Sequence, residues 1–127
     1  MTKIDWSKFS VLIVEDDPAL SEILEAYFQT YGAKVNKASH GEEALQILGT
    51  SAIDLVLSDI QMPVMDGVTL LKTVRGKDPK IPIVFIISGQ SDYSEEQLLK
   101  LGASGYMAKP FSLKEFSSRI NGALGLE

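Results

Sequence analysis

The chain has 127 residues, of which 45% are hydrophobic and 23% charged, and this composition is typical of a single globular domain. It contains no cysteine, which excludes a disulfide scaffold and a thiolate metal site, and its net charge of −5 argues against broad electrostatic binding of nucleic acid or anionic membrane. No apolar run approaches the roughly 20 residues of a membrane span, and no signal peptide begins the chain, so we expect a cytoplasmic protein.

Five short apolar segments, separated by stretches with helical spacing, predict five β-strands. They cover residues 11–14, 33–38, 53–57, 81–87 and 105–108. The first, third and fourth are continuous apolar runs, which are typical of parallel strands covered on both faces. The second alternates between apolar and polar residues, which predicts a strand that lies at an edge of the sheet or is half-exposed.

Helical spacing and capping residues predict five helices between and after the strands. Asp17 is expected to cap the first helix, with Pro18 just inside it and Gly32 as its stop. Ser112 caps the last helix, and Glu115 completes a capping box with it. The other three are predicted over residues 42–48, 66–74 and 94–101. A strand–helix order repeated five times with right-handed crossovers predicts an open parallel sheet with helices on both faces.

Polar side chains that suit phosphate and metal chemistry follow four of the predicted strands. Glu15 and Asp16 follow the first, Asp59 the third, Ser88 the fourth and Lys109 the fifth. Ligands of an open α/β sheet bind at the carboxyl ends of its strands, so we expect these side chains to converge. Singly, each has an ordinary explanation, such as a helix cap, a turn or an exposed lysine, whereas their shared position at strand ends favours one common site.

The residue types in this set predict a particular chemistry. Closely packed carboxylates repel one another unless a cation is present, and Mg²⁺ is favoured because it leaves positions for water and phosphate oxygens. A carboxylate can attack phosphorus to form an aspartyl phosphate, while a metal ion, a lysine and a hydroxyl stabilise the phosphoryl oxygens. The chain has no Walker-type loop and no GxGxxG after the first strand, so nucleotide binding is unsupported.

Four segments, in this order, resemble the receiver domain of two-component response regulators. They are residues 11–18 (VLIVEDDP), 58–67 (SDIQMPVMDG), 87–89 (ISG) and 102–111 (GASGYMAKPF). The resemblance extends from about Phe9 to Leu124, which is almost the whole chain. It implies an α/β fold of the flavodoxin-like, doubly wound (βα)₅ type, whose five parallel strands have the order 2-1-3-4-5.

The resemblance also implies roles for the residues at the strand ends. Asp59 would accept a phosphoryl group from a histidine of a sensor kinase or of a histidine phosphotransfer protein. Asp16 would bind Mg²⁺ directly, and Glu15 would act mainly through a metal-bound water. Asp59 and the backbone carbonyl of Gln61 would complete the protein ligands, and Lys109 would contact the phosphate.

Further roles follow from the same resemblance. Ser88 would be the switch hydroxyl, and Tyr106 the aromatic side chain that changes rotamer on activation. A cis peptide bond is implied before Pro110. Gln61 and Gln90, two residues after the phosphoacceptor and the switch hydroxyl, would tune the lifetime of the phosphoryl group.

The domain limits and partners are expectations of the same kind. We expect a receiver domain over residues 9–124, after an N-terminal tail of residues 1–8, and a C-terminal tail or vector junction at residues 125–127. The implied partners are a sensor histidine kinase or histidine phosphotransfer protein, an unidentified output partner or domain, and a second copy of the chain in a phosphorylation-dependent homodimer. Direct contact with nucleic acid or membrane is not expected, and the only catalysis expected is the domain's own phosphorylation and dephosphorylation.

Two other functions remain alternatives. A phosphatase of the haloacid dehalogenase type also uses an aspartate nucleophile and Mg²⁺, but residues 15–17 lack its Asp-x-Asp spacing and no segment is long enough for its cap. A degenerate receiver that acts only as a scaffold is disfavoured by the complete set of Asp16, Asp59, Ser88 and Lys109. The departures from the family's pattern are mild, since Glu15 stands where aspartate is frequent and Gly89 where alanine is frequent.

Several aromatic and imidazole side chains have ordinary interpretations. His40 is the only histidine and is interpreted as a surface residue, because a lone histidine forms no metal or relay site. Tyr27, Phe28 and Tyr31 have the spacing of core residues in the first helix. Trp6 either anchors the N-terminal tail or is exposed.

Overall fold

Five strands alternate with five helices in the computed structural model, which describes residues 5–62, 65–78, 82–89 and 93–123. The strands are β1 (Ser10–Val14), β2 (Lys34–Ala38), β3 (Leu55–Asp59), β4 (Ile83–Ser88) and β5 (Gly105–Ala108). The helices are α1 (Pro18–Thr30), α2 (Gly41–Thr50), α3 (Gly67–Lys77), α4 (Glu95–Lys100) and α5 (Leu113–Ala123), and a 3₁₀ turn (Trp6–Lys8) precedes β1. The predicted order of elements is confirmed.

All five strands are parallel and lie in the order β2-β1-β3-β4-β5. This is the flavodoxin-like order that the resemblance implies. The register aligns the carboxyl ends, because Val14 lies opposite Ala38 and Ser58, and Ser88 lies opposite Ala108. The residues that follow the strands therefore meet at one edge of the sheet.

The central strands are buried because helices cover both faces of the sheet. Successive side chains of a strand point to opposite faces, so β1 divides its apolar residues between two cores. Leu12 and Val14 pack on the side of α2, α3 and α4, and Val11 and Ile13 on the side of α1 and α5. β2 is half-exposed at the edge, as its alternation predicts.

No helix in the described ranges has the length and hydropathy needed to cross a membrane.

The limits of β3 differ from the prediction of residues 53–57. The strand begins later, at Leu55, although Asp54 just before it is also joined to Ser10, since the Asp54 N–H donates to the Ser10 carbonyl (2.9 Å) and the Asp54 carboxylate accepts from the Ser10 N–H (2.8 Å). It also extends further, so that Asp59 is the last strand residue and pairs with β4. The polar residues Ser58 and Asp59 at the end of β3 are buried. The apolar pattern alone does not predict that they belong to the strand.

Helix ends also depart from the predictions by one to three residues. α2 and α3 continue past the predicted ends to Thr50 and Lys77, and the prediction missed these last residues because they are polar or glycine and carry no apolar signal. α4 is shorter than predicted, and Ser94 is its N-cap in a reciprocal capping box with Gln97 that the prediction did not include. The predicted N-cap of α1, Asp17, is confirmed.

Aromatic side chains join the N-terminal turn to the core on the α1 side. Trp6 is buried against Phe9 and Phe28, with ring centroids 5.0 and 5.1 Å away, so it anchors the segment before β1. Phe28 is fully buried, as predicted. The prediction for Tyr31 is wrong, because this residue lies just beyond the end of α1 and is 54% exposed.

His40 is half-buried and forms a hydrogen bond to the backbone of α2, which the interpretation as a surface residue did not include. Its Nδ1 accepts a hydrogen bond from the Glu43 N–H (3.2 Å), which makes the half-buried imidazole the N-cap of α2. The Glu43 carboxylate in turn accepts a hydrogen bond from the Ser39 N–H (2.8 Å). Two hydrogen bonds between Glu43 and the residues just before α2 therefore stabilise the start of this helix.

Candidate functional site

The carboxyl edge of the sheet brings together the polar residues that the sequence analysis placed there. Glu15 directly follows β1, Asp59 ends β3, Ser88 ends β4 and Lys109 directly follows β5. The Lys109 N–H donates to the Ser88 carbonyl (2.9 Å), which continues the β4–β5 ladder and holds the start of the last loop. The Lys109–Pro110 peptide bond is cis, as the resemblance implies.

Three carboxylates form a cluster at this edge. One oxygen from each of Glu15, Asp16 and Asp59 lies within 4.8 Å of the other two. Glu15 and Asp59 are buried, with 6% and 8% of their surface exposed, whereas Asp16 is exposed. The cluster therefore has two carboxylates held in the protein and one directed to its open side.

The Lys109 ammonium bridges the two buried carboxylates. Its Nζ lies 2.9 Å from Glu15 Oε1 and 2.9 Å from Asp59 Oδ2. Lys109 is 94 positions from Glu15 and 50 positions from Asp59 in the sequence, so the bridge joins distant parts of the chain. The lysine side chain is only 22% exposed, so these charge-assisted hydrogen bonds are weakly screened by solvent.

The site raises the pKa values of both Glu15 and Lys109, for different reasons. Burial raises the pKa of Glu15, and the Asp59 charge adds to this, while the Lys109 hydrogen bond only partly opposes it. Burial alone would lower the pKa of Lys109, but hydrogen bonds to Asp59 and Glu15 outweigh it, and the pKa of Lys109 is raised. The ammonium therefore stays charged, and it supplies positive charge to the cluster.

Both oxygens of Asp59 have a partner in the protein. Oδ1 accepts a hydrogen bond from the Ile60 N–H (2.7 Å), and Oδ2 accepts from Lys109. The Ser58 hydroxyl donates to the Asp59 backbone carbonyl (2.8 Å). These contacts fix the orientation of the carboxylate, which is what a nucleophile in a positioned site requires.

Gly67 is a residue of this site that the sequence analysis missed. A Cβ added there would lie 2.9 Å from the carbonyl carbon of Asp59 and closer still to its oxygen. The Gly67 N–H also donates to the Ile60 carbonyl (2.8 Å). The available signal was a glycine directly after Asp66, the first residue of the predicted third helix, a position where helices do not ordinarily need glycine.

The carboxylate cluster suits a divalent cation. Mg²⁺ binds oxygen ligands at about 2.1 Å in an octahedron, so opposite ligands lie about 4.2 Å apart. The oxygens of Glu15, Asp16 and Asp59 all lie within 4.8 Å of one another, so they are close enough together to surround one ion. The hard oxygen donors and the exposed side at Asp16 suggest a divalent metal site.

The remaining predicted site residues lie around this cluster with varied exposure. Ser88 is buried at the end of β4. Tyr106 is half-buried in β5 opposite Ile86, and it packs against the core on the α4 side. Gln61 is exposed two residues after Asp59, and Gln90 lies outside the described residues. Their roles stay predictions.

Comparison with known proteins gives matches over almost all of the chain. A family model described as the response regulator receiver domain matches residues 11–121. The chain is 37% identical over 114 residues to a probable transcriptional regulator, ycf27, of Cyanidium caldarium, which covers 90% of this chain and 45% of the relative. The chain spans about half the length of the relatives named as transcriptional regulators.

Two solved structures are similar in fold and in sequence. The receiver domain of a Francisella response regulator has 31% identity and a TM-score of 0.82, over 93% of this chain and 98% of that chain. The response regulator TrrA of Thermotoga maritima, solved in complex with Mg²⁺ and BeF, has 27% identity and a TM-score of 0.80, over 91% and 98% of the two chains.

The bridging role of Lys109 predicts a stability effect. In buffer with a chelator, Lys109→Met should lower the free energy of unfolding by about 3 kcal/mol, because two buried carboxylates lose their shared cation. Lys100→Met is the control, since Lys100 is 75% exposed in a surface pair with Glu96 and should cost less than about 0.5 kcal/mol. Urea unfolding followed by circular dichroism measures both, and equal losses in the two variants would contradict the bridge.

Proposed function

The chain belongs to the response regulator receiver domain family, and on this basis we propose that it is a phosphorylation-controlled signalling switch whose phosphoacceptor is Asp59. The phosphoryl donor is a histidine of a sensor kinase or of a histidine phosphotransfer protein. One observation carries the assignment of Asp59. Its carboxylate is oriented by the Ile60 N–H and by the Lys109 ammonium, and two further carboxylates lie beside it.

Phosphoryl transfer at this site is a displacement at phosphorus. An oxygen of Asp59 attacks, a phosphorus–oxygen bond forms, and the phosphorus–nitrogen bond of the donor phosphohistidine breaks with its electron pair returning to the ring nitrogen. The Lys109 ammonium, 2.9 Å from Asp59, offsets the charge on the phosphoryl oxygens. The hydrogen bond from Ile60 holds the carboxylate in one orientation, which lowers the entropic cost of attack.

We propose Mg²⁺ as the cofactor of this reaction. Asp16, Asp59 and the backbone carbonyl of Gln61 would hold it, with Glu15 acting mainly through a bound water. When bound, the ion neutralises charge on the cluster and on the phosphoryl oxygens. The oxygen donors and their spacing within 4.8 Å support this assignment.

Ser88 and Tyr106 are proposed to pass the phosphorylation state to the surface. The Ser88 hydroxyl would bind the new phosphoryl oxygens, and Tyr106 in the neighbouring strand would rotate inward. The burial of Ser88 at the end of β4 and the half-buried position of Tyr106 in β5 support this proposal. Phosphorylation shifts the population between two conformations that differ in the surface formed by α4, β5 and α5. Gln61 and Gln90 tune the lifetime of the phosphoryl group.

The domain limits, partners and location are also proposals. We assign the receiver domain to residues 9–124 and place it in the cytoplasm, where a kinase, a phosphotransfer protein or a second copy of the chain can reach the carboxyl edge and the α4–β5–α5 face. Similar relatives are named transcriptional regulators, which supports gene regulation as the output, through a partner or through a further unit of the same protein.

Asp59→Asn should abolish phosphate incorporation from acetyl phosphate with Mg²⁺, because the amide lacks the nucleophilic oxygen charge. Asp54→Asn makes the same change at the opposite edge of the sheet and should leave incorporation intact. Acid-labile, hydroxylamine-sensitive radiolabel measures the product. Undiminished labelling of Asp59→Asn would rule out this phosphoacceptor, and no labelling of the wild-type protein would favour a scaffold.

Asp16→Asn should weaken Mg²⁺ binding at least about tenfold, because a charged ligand is replaced by a neutral one. The neighbouring Asp17→Asn is the control, since Asn can still cap α1 and Asp17 is not part of the carboxylate cluster. Calorimetric titration with Mg²⁺ gives both dissociation constants. Equal affinity in the two variants would remove Asp16 from the ligand set.

Beryllofluoride with Mg²⁺, which stands in for the phosphoryl group, should shift amide resonances of Ser88, Tyr106 and α4 (Glu95–Lys100). The reason is that a ligand on Asp59 changes the contacts at the end of β4 and, through them, the neighbouring strand and helix. Two-dimensional ¹⁵N NMR measures these shifts. Shifts confined to the loops of Asp16, Asp59 and Lys109 would show that the site is not coupled to this surface.

A further inference from the structure

We propose that Gly41, the first residue of α2, is a positioning residue for phosphoryl transfer at Asp59. The inference rests on the proposed function and adds to it a contact from an element that contributes no side chain to the site. Its basis is a run of contacts from α2 through Met65 and Gly67 to the phosphoacceptor.

The first contact is between α2 and the residues that lead into α3. The Gly41 N–H donates to the Met65 carbonyl (3.2 Å). A Cβ on Gly41 would lie 2.8 Å from Met65 Cγ and 3.0 Å from its carbonyl oxygen, so any larger residue must displace Met65. Met65 itself packs against the core on the α2 and α3 side. The two segments are in contact because position 41 has no side chain.

The second contact lies on the other side of the same short segment. Gly67, two residues after Met65, donates its N–H to the Ile60 carbonyl (2.8 Å) and lies directly against the Asp59 carbonyl. The segment from Met65 to Gly67 is thus held between the start of α2 and the backbone of the phosphoacceptor. A displacement at Met65 therefore has little room to be absorbed before it reaches Asp59.

The final contact connects this backbone to the reacting group. The Ile60 N–H donates to Asp59 Oδ1 (2.7 Å), so the Ile60 peptide unit orients the carboxylate. That residue receives the Gly67 hydrogen bond on its carbonyl and donates to Asp59 from its nitrogen. A shift of a few tenths of an ångström here changes the direction of nucleophilic attack, to which transfer rates are sensitive.

The chain offers a matched control for this contact within the same helix. Gly49 is also in α2, but a Cβ there would meet nothing within 4 Å. Both Gly41→Ala and Gly49→Ala add one methyl group and favour helix slightly. Any difference between the two variants therefore reports the contact of position 41 with Met65.

The experiment compares wild type, Gly41→Ala, Gly49→Ala and the double variant Gly41→Ala/Met65→Ala in the whole chain. Three quantities are measured: the Ile60 amide resonance of the metal-free protein, the Mg²⁺ dissociation constant, and the rate of phosphate incorporation from acetyl phosphate. Gly41→Ala should move the Ile60 amide, weaken Mg²⁺ binding and slow incorporation by about three- to tenfold, while Gly49→Ala matches wild type. The double variant should recover part of the rate, because the shorter side chain makes room.

An Ile60 amide and an incorporation rate in Gly41→Ala equal to those in Gly49→Ala would overturn the inference, and so would a moved amide with an unchanged rate. If Gly41→Ala does not fold, the double variant Gly41→Ala/Met65→Ala decides, because the shorter side chain at position 65 leaves room for the added methyl group while the altered contact still moves the Ile60 amide. An unmoved Ile60 amide in that variant overturns the inference. Absence of incorporation in wild type and Gly49→Ala alike is a different result, because it contradicts the proposed function itself.

Discussion

Three carboxylates at one edge of a sheet repel one another, and the positive charge of the Lys109 ammonium offsets part of that repulsion. It lies 2.9 Å from both Glu15 and Asp59, and burial strengthens these attractions because little water intervenes. The raised pKa of Lys109 keeps its positive charge in place. A group that brings its own negative charge, such as a phosphoryl group, changes the balance of this cluster directly, and that makes the cluster suited to a switch.

The parallel sheet is what allows the interaction to form. Parallel strands with aligned register end at the same edge, so β1, β3, β4 and β5 deliver Glu15, Asp59, Ser88 and Lys109 to one place. The two apolar cores on either face hold this alignment. Residues from distant parts of the chain therefore meet at the ends of the strands or directly after them, where the sheet sets their positions.

Much of this arrangement could be predicted from the sequence, because apolar patterns report burial. Continuous runs indicated the central strands, alternation indicated β2 at the edge, and four motifs in order indicated the family and the strand order. The residues at the strand ends were placed correctly at one edge. Apolar patterns indicate which face of a strand or helix is buried. They do not indicate where a helix ends when its last residues are polar.

The remaining features depend on contacts that no local pattern encodes. β3 extends to Asp59 because its polar end is satisfied by Lys109 and by Ile60, which lie on another strand end and in the following loop. Tyr31 has core spacing but lies past the last turn of α1, where the chain leaves the core. The close approach of Gly41 to Met65 pairs residues 24 positions apart, and only the assembled fold brings them together.

The central claim, that the Lys109 ammonium bridges Asp59 and Glu15 at the proposed site of phosphorylation, can be tested by ¹⁵N NMR of lysine side chains in the metal-free protein. We expect the Lys109 ammonium protons to exchange with water more slowly than those of the exposed Lys100, and their resonance to shift when Mg²⁺ and beryllofluoride are added. An ammonium that exchanges as fast as that of Lys100, with a resonance unchanged by both additions, would contradict it.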